Sequence, residues 1–388
     1  MNKLFKYCVL LSMVFAMSSC GTVGLMIHTA KIFNDNQSYS VNSACDTIHF
    51  VVNKKNQMLL KAEINGNSDT VMYDSGVNSF ALLMYTPSTK PEGMKFYNHR
   101  VSGADKKSKL KVTTLPVTIK TDMVVADGVG VANLGAEPPL CQKESSLSMR
   151  NIIGFQGLNL IRYEIDFMNN IMYELPDSLI IDTTEFIPIK CKYFMNVLWV
   201  YPRINGVEYE CIFDTGNGAA AFLLLDEQRV NNPQKEDYVF EGSYGQAIGG
   251  HTDKQTFVWA NQERLNLAGA DKETEVLYVK SVSSNNMGLN AISKYDWIIS
   301  SRGGNLQMYA KPHETVVAKP FDAPAYRVST ADGTLRIMTR LVDGKEKFKV
   351  GDQIISVNGE KITEENICHY YDLLTENKDW SGLEIEVK

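Results

Sequence analysis

The sequence predicts a mainly β protein in which two duplicated β-rich lobes are followed by a small α+β domain. Three observations lead to this fold class: the segment 64–83 recurs at 204–223, each copy places an Asn-Gly turn between two apolar runs, and the pattern changes after residue 312. With 44% hydrophobic and 22% charged residues, the 388-residue chain has the composition of a globular protein. Its net charge of −6, without a cluster of Lys and Arg, argues against nucleic-acid binding.

The segment 1–20 has the features of an export signal. Two lysines precede an apolar run from Tyr7 to Met17, and two serines stand before Cys20. The run is shorter than the roughly 20 apolar residues that a membrane-spanning helix needs. The segment Met-Ser-Ser-Cys at 17–20 resembles the lipobox of bacterial lipoproteins. That resemblance implies a signal peptide over 1–19, lipidation of Cys20, a tether over 20–45 and a lipid-anchored location in the bacterial cell envelope, outside the cytoplasm. The alternative is an ordinary signal peptide with an incidental cysteine.

The remaining cysteines suggest no catalytic role. An extracytoplasmic location permits disulfides, and the spacing contains no C-x-x-C or metal-type pattern. Since five cysteines follow Cys20, at least one of them stays unpaired. They are Cys45, Cys141, Cys191, Cys211 and Cys368.

The repeat aligns residues 64–83, INGNSDTVMYDSGVNSFALL, with residues 204–223, INGVEYECIFDTGNGAAAFL, without a gap. In each copy an apolar strand, predicted over 57–64 or 197–204, meets the Asn-Gly turn, and a second strand returns to an Asp-Ser-Gly or Asp-Thr-Gly tripeptide. We therefore interpret 46–180 and 181–312 as two copies of one lobe. The identical pairs are Ile64/Ile204, Asn65/Asn205, Gly66/Gly206, Asp74/Asp214, Gly76/Gly216, Ala81/Ala221 and Leu83/Leu223.

The two tripeptides are the candidate catalytic feature. A single one is typical of an Asx turn, but two at equivalent points of a duplicated lobe indicate a paired site. A near two-fold relation between the lobes would bring Asp74 and Asp214 together, where they would share one proton. The ionised carboxylate could then activate water as a general base, while the protonated one donates to the carbonyl oxygen under attack. The hydroxyls that follow are expected to hold the opposing loop and the glycines to permit close approach of the backbones. These supporting residues are Ser75, Gly76, Thr215 and Gly216.

This constellation resembles the aspartic proteases. Each copy also carries a later apolar-apolar-Gly element, Ile152-Ile153-Gly154 or Asn286-Met287-Gly288, although the second begins with a polar residue. The pattern is similar to two retropepsin-like units fused in one chain, as in bacterial aspartyl-protease-family proteins. The resemblance implies two acid-protease-like β-barrel lobes and an endopeptidase that acts on peptides or unfolded protein without a metal or other cofactor. The sequence departs from the family at Val77 and Asn217, where Ala or Ser is usual. The alternative function is a non-catalytic lipoprotein that binds extended polypeptide in the same cleft.

Residues 316–388 form the predicted α+β domain. The run Val-Gly-Asp-Gln-Ile-Ile-Ser-Val-Asn-Gly at 350–359 predicts a strand and a tight turn, followed by a helix near 364–376 and a last strand over 383–387. This run resembles that of PDZ domains attached to bacterial proteases, which implies binding of a peptide C-terminus by strand addition. The alternative is a small module that packs on the two lobes.

Overall fold

The computed structural model describes residues 38–41, 46–53, 56–85, 92, 94–102, 107–135, 140–141, 151–154, 161–247, 250–300, 305–313, 323–330, 333–345 and 347–388. The predicted signal peptide, Cys20 and most of the predicted tether lie outside these residues. Within the described part of the chain, no helix has the length and apolar character needed to cross a membrane. The described part of the chain is mainly β, with 54% strand and 7% helix, and contains a closed six-stranded barrel and further sheets, which confirms the predicted fold class at this level.

The strands before residue 180 are Ser38–Val41, Thr47–Val52, Met58–Ile64, Asn67–Asp74, Ala81–Tyr85, Tyr97–Ser102, Lys107–Lys120, Val124–Gly135, Ile152–Gly154, Arg162–Asp166 and Ile171–Leu175. Those between 180 and 312 are Ile187–Ile189, Cys191–Phe194, Val197–Val200, Arg203–Ile204, Val207–Glu208, Cys211–Asp214, Phe222–Leu225, Tyr238–Gly242, Gln246–Ala247, Gly250–His251, Gln255–Leu267, Ala270–Val279, Asn286–Gly288, Tyr295–Ser300 and Gln307–Pro312. The remaining strands are Tyr326–Ser329, Arg336–Leu341, Ile354–Val357, Glu360–Lys361 and Ile385–Val387. The helices among the described residues are Glu227–Asn231, Leu289–Ile292 and Ile367–Glu376.

The closed barrel lies in the first half of the chain. Its side chains alternate between core and solvent, as in Met58–Ile64, where Met58, Leu60 and Ala62 are buried. The barrel closes because Met58–Ile64 pairs with the strand at each end of the series. In order around the barrel, its strands are Met58–Ile64, Asn67–Asp74, Ile152–Gly154, Ala81–Tyr85, Val124–Gly135 and Lys107–Lys120.

The second half repeats the hairpin pairing of the first at the same offset. Leu59 pairs with Met72 in the first half, and Trp199 pairs with Ile212 in the second. The strand predicted over 197–204 is wrong as a single strand, because it is interrupted at Tyr201 and Pro202. Proline has no amide hydrogen to donate to the ladder, so the sheet pairing stops and resumes at Arg203.

One sheet joins the two halves. Arg162–Asp166 lies between Ile171–Leu175 of its own half and Tyr295–Ser300 of the other, with Tyr163 opposite Ile299. Tyr163 and Trp297 are fully buried beneath it. Because this sheet is continuous, the relative position of the two halves is fixed by backbone hydrogen bonds as well as by packing.

Residues assigned to a tether from the sequence partly belong to the folded first half. Ser38–Val41 pairs in antiparallel fashion with Val124–Gly135, and the ring of Tyr39 packs 5.5 Å from that of Phe80. The backbone pairing and this ring contact hold the strand on the sheet, although Tyr39 itself stays 44% exposed.

The C-terminal region continues the sheet of the second half. Arg336–Leu341 pairs with Tyr238–Gly242 on one side and with Tyr326–Ser329 on the other. A separate three-stranded sheet and the helix Ile367–Glu376 enclose a small core that includes Ile354 and Trp380. A disulfide joins Cys141 to Cys368 on that helix, whereas Cys191 and Cys211 are free thiols and Cys45 lies outside the described residues.

Candidate active site

Each Asp-[Ser/Thr]-Gly tripeptide follows the end of a central strand. The strand that carries Asp74 pairs in parallel with Ile152–Gly154, so that Asp74 lies opposite Gly154, and Asp214 lies opposite Gly288 in the same way. The loop after each aspartate folds back over the glycine. A Cβ atom at either glycine would overlap a carbonyl oxygen of that loop, that of Ser79 or Ala220. The apolar-apolar-Gly elements therefore hold the loops at close backbone distance.

The second loop is one residue longer than the first. The amide of Gly154 donates to the carbonyl of Phe80 at 2.9 Å, and the amide of Gly288 donates to that of Ala221 at 2.8 Å. Phe80 is thus structurally equivalent to Ala221. The ungapped alignment pairs Phe80 with Ala220 instead, so that alignment is wrong by one residue beyond the loop. The identities Ala81/Ala221 and Leu83/Leu223 are not structural equivalences.

The two loops bring Asp74 and Asp214 together. A Cβ atom built on Gly76 would lie 2.6 Å from the Cγ of Asp214, and one built on Gly216 would overlap the carboxyl group of Asp74. Only glycine fits where each backbone approaches the opposite carboxyl group. Burial raises the pKa of Asp74 well above its ordinary value, and the negative charge of Asp214 and the hydrogen bond between the two carboxyl groups raise it further.

Ser75 and Thr215 link the loops behind the carboxyl groups. The amide of Ser75 donates to the Thr215 hydroxyl at 3.0 Å, and the amide of Thr215 donates to the Ser75 hydroxyl at 3.1 Å. Each hydroxyl in turn donates across the boundary, Ser75 to the Phe213 carbonyl at 2.6 Å and Thr215 to the Tyr73 carbonyl at 2.9 Å. Both side chains are fully buried. The four bonds fix the separation of the loops.

The hydrogen bonds to the two carboxyl groups are unequal. The backbone donors are matched: the amides of Gly76, at 2.9 Å from Oδ1, and Val77 donate to Asp74, and those of Gly216, at 2.9 Å, and Asn217, at 3.1 Å, donate to Asp214 Oδ1. In addition, Asn286 Nδ2 donates to Asp214 Oδ2. Sequence reasoning treated Asn286 only as a departure from an apolar pattern. The sequence feature that could have indicated a role for Asn286 is that a polar residue stands where the repeat predicts a buried apolar one.

A second pair of contacts crosses between the halves at the hairpin tips. Asn56 Nδ2 donates to the carbonyl of Gly218, and Asn196 Nδ2 donates to that of Asn78, both at 3.4 Å. The donors are equivalent to each other under the repeat alignment, and so are the acceptors. Asn56 and Asn196 both have positive φ, 52° and 64°, which asparagine tolerates better than most residues. Sequence reasoning missed both residues because they precede the aligned segments.

The strand Tyr238–Gly242 and the segment after it contact the C-terminal region. The amide of Ser243 donates to the Met338 carbonyl at 3.0 Å, and His251 Nε2 lies 2.6 Å from the Ser329 hydroxyl. Tyr244 is buried, with its ring edge-on to Phe257 at 6.3 Å. The tip of this hairpin, at 248–249, lies outside the described residues.

Comparison with known proteins adds no assignment. No protein-family model matches the chain, and a search of curated proteins finds no match. Among the residues that the structure describes, no three His, Cys, Asp or Glu side chains lie together in a way that could hold a metal ion. The paired loops with their two carboxyl groups are the feature from which a function is argued below.

Proposed function

We propose that this chain is an aspartic-type endopeptidase in which Asp74 and Asp214 hydrolyse peptide bonds with an activated water. The observation that carries the proposal is the pair of loops that Ser75 and Thr215 join, with two carboxyl groups that share a hydrogen bond. Two such groups hold one proton between them, and this is the state that supplies both a base and an acid.

The reaction follows from that protonation state. The ionised carboxylate takes a proton from water, and the oxygen of that water forms a bond to the substrate carbonyl carbon. The π electrons of the carbonyl group move to its oxygen, which takes the proton of the other carboxyl group. In the second step the amide nitrogen takes the proton gained from water, and the C–N bond breaks. As that bond breaks, one hydroxyl of the tetrahedral intermediate gives its proton to the second carboxylate and its O–H electrons re-form the carbonyl. The product acid and amine then leave the pair as it began.

The finer architecture belongs to the same proposal. Residues 46–180 and 181–312 are two acid-protease-like β-barrel lobes, and 316–388 are a PDZ-like domain. The recurrence of the hairpin register and of the parallel pairing at each aspartate supports the two-lobe assignment. Because Arg336–Leu341 continues the sheet of the second lobe, the C-terminal domain is part of the folded unit, and any C-terminal peptide would bind elsewhere on it.

The location is also proposed. Lipidation at Cys20 would anchor the folded part to a membrane of the bacterial envelope, where its substrate is a peptide or an unfolded protein. Metabolic labelling with a fatty acid should mark the wild type and leave Cys20→Ser unlabelled; equal labelling would contradict the anchor.

Cleavage of an unfolded protein at mildly acidic pH tests the activity. Asp214→Asn should lower kcat/KM at least about 100-fold, because it removes a proton acceptor in the rate-determining chemistry. Asp122→Asn, at an exposed carboxylate, is the matched control and should retain full activity. If wild type and Asp214→Asn are equally inactive while both bind the same polypeptide, the chain is instead a peptide-binding lipoprotein.

A further inference from the structure

Asp214 accepts a hydrogen bond from a pair of linked asparagine side chains, Asn217 and Asn286, that has no counterpart at Asp74. Asn217 Nδ2 donates to Asn286 Oδ1 at 2.7 Å, and Asn286 Nδ2 donates in turn to Asp214 Oδ2. The first half has Ile152 at the position of Asn286, opposite Met72 as Asn286 is opposite Ile212, and Val77 at the position of Asn217. The two loops, which equivalent hydrogen bonds at Ser75 and Thr215 join, therefore present different side chains to their carboxyl groups.

The orientation of the Asn286 amide is fixed by its partners. Its oxygen accepts from Asn217, so its nitrogen faces the Asp214 oxygen. The reverse orientation would set two amide nitrogens against each other and an amide oxygen against a carboxylate. Asn286 is buried, with 8% of its surface exposed, so solvent does not compete strongly for these bonds.

A donor aimed at one carboxyl group favours ionisation of that group. Backbone amides of the loops face both carboxyl groups, and the side-chain amide of Asn286 is an additional donor at Asp214. The segments 73–80, 152–154, 212–221 and 286–288 contain no other Asp or Glu and no Lys, Arg or His. The remaining titratable group is the buried hydroxyl of Tyr73, which is bonded to Tyr163, and burial raises its pKa above the ordinary value.

We propose that Asn286 is a positioning residue that makes Asp214 the ionised member of the pair and leaves the shared proton on Asp74. For its consequence in catalysis, this inference rests on the proposed function. Asp214 is then the base that takes the proton of water, and Asp74 is the acid that faces the substrate carbonyl oxygen. The direction of attack is set by one amide, in a site whose backbone is close to symmetric.

The repeat supplies the test variants. Asn286→Ile gives the second loop the residue of the first, Ile152→Asn gives the first loop that of the second, and the double variant exchanges them. Titration of the carboxyl carbons in protein labelled with 13Cγ aspartate reads the two sites directly, with Asp74→Asn and Asp214→Asn providing the assignments. The pH dependence of kcat/KM is the second readout.

In the wild type, Asp214 should ionise at lower pH than Asp74. Asn286→Ile should move the first ionisation step, and the acid limb of the activity profile, to higher pH by about one unit, because the monoanion loses a charge-assisted hydrogen bond. The double variant should reverse the order, with Asp74 ionising first. A merely structural role for Asn286 would change stability without reversing this order.

Two outcomes overturn the inference: Asp74 ionising first in the wild type, or carboxyl titrations of Asn286→Ile and the double variant that match the wild type. If Asn286→Ile does not fold, Asn217→Ala serves instead, since it frees the Asn286 amide to rotate and should shift the first step in the same direction by a smaller amount. The carboxyl titration needs no substrate. An inactive wild type would therefore contradict the proposed function without deciding the role of Asn286.

Discussion

Ser75 and Thr215 make equivalent hydrogen bonds in opposite directions across the boundary between the two halves. Each hydroxyl accepts from the amide of the other residue and donates to the carbonyl that precedes the other aspartate. Loss of either hydroxyl thus leaves a buried amide and a buried carbonyl without a partner on the opposite loop.

Ser75→Ala should lower the free energy of unfolding by about 2–4 kcal/mol, because a buried amide and a buried carbonyl each lose a hydrogen-bond partner, at about 1–3 kcal/mol per group. Thr215→Ala should cost at least as much, since it also removes a buried methyl group. Urea unfolding measures both, and Ser68→Ala, at an exposed strand position, is the control. The double variant should lose less than the sum of the single losses; strict additivity would show that the two hydroxyls act independently.

The raised pKa of Asp74 makes stability depend on pH. Its folded value lies above the ordinary 3.8, so the folded protein holds this proton more tightly than the unfolded chain. Stability from this group is present below 3.8 and is lost as the pH rises toward the folded value. Asp74→Asn has no such proton. The difference between its unfolding free energy and that of the wild type should therefore rise, in favour of the variant, by up to about 1.4 kcal/mol for each pH unit across this range.

Denaturant unfolding at a series of pH values checks this expectation. Ser68→Ala, which removes no titratable group, is the control and should differ from the wild type by a constant amount. A difference between Asp74→Asn and the wild type that does not change with pH would contradict a raised pKa at Asp74.

The hairpin-tip asparagines should support catalysis more than stability. Asn56→Gly and Asn196→Gly preserve the positive φ and remove one hydrogen bond to the opposite loop, so each should lower kcat/KM by about 2- to 10-fold. Asn170→Gly, at an exposed turn with φ of 57°, is the matched control. Similar effects at Asn56 and Asn196 are expected from the repeat; activity unchanged in both variants would mean that the tips do not position the loops.

The disulfide should stabilise the C-terminal region against unfolding. Cys141 and Cys368 are 227 residues apart in sequence, and closing a long loop restricts the unfolded chain. Cys368→Ser should therefore lower the free energy of unfolding by about 2–4 kcal/mol, and a reductant should bring the wild type to the same level. Cys191→Ser is the control at a free thiol. Equal unfolding of the wild type and Cys368→Ser without reductant would contradict the pairing.

Features with a local signal could be predicted from the sequence. The Asn-Gly turns set the register of both hairpins, because the turn determines which residues lie opposite. In the C-terminal region, the helix begins at Ile367, shortly after the predicted start at Glu364, and ends at the predicted Glu376. The mainly β class follows from the same strand periodicity.

Features that depend on contacts distant in sequence could not be predicted. The extra residue in the second loop is hidden because Ala220 and Ala221 are alike in sequence, and the bond from Gly288 shows that Ala221 is the equivalent of Phe80. The role of Asn286 requires knowledge that its amide reaches Asp214. The disulfide partner of Cys368 could not be predicted either, because the spacing of cysteines in the sequence does not determine their pairing.

The pairing of Tyr238–Gly242 with Arg336–Leu341 has a consequence for self-association. A strand at the edge of a sheet exposes amides and carbonyls that can pair with a second chain. Here Arg336–Leu341 occupies the edge of the strand Tyr238–Gly242. The Met338 carbonyl lies so close to Gly242 that a residue with a side chain there would push Arg336–Leu341 away. The C-terminal region therefore protects the rest of the fold from polymerising through an open β edge, and a fragment that ended at residue 312 would be prone to aggregate.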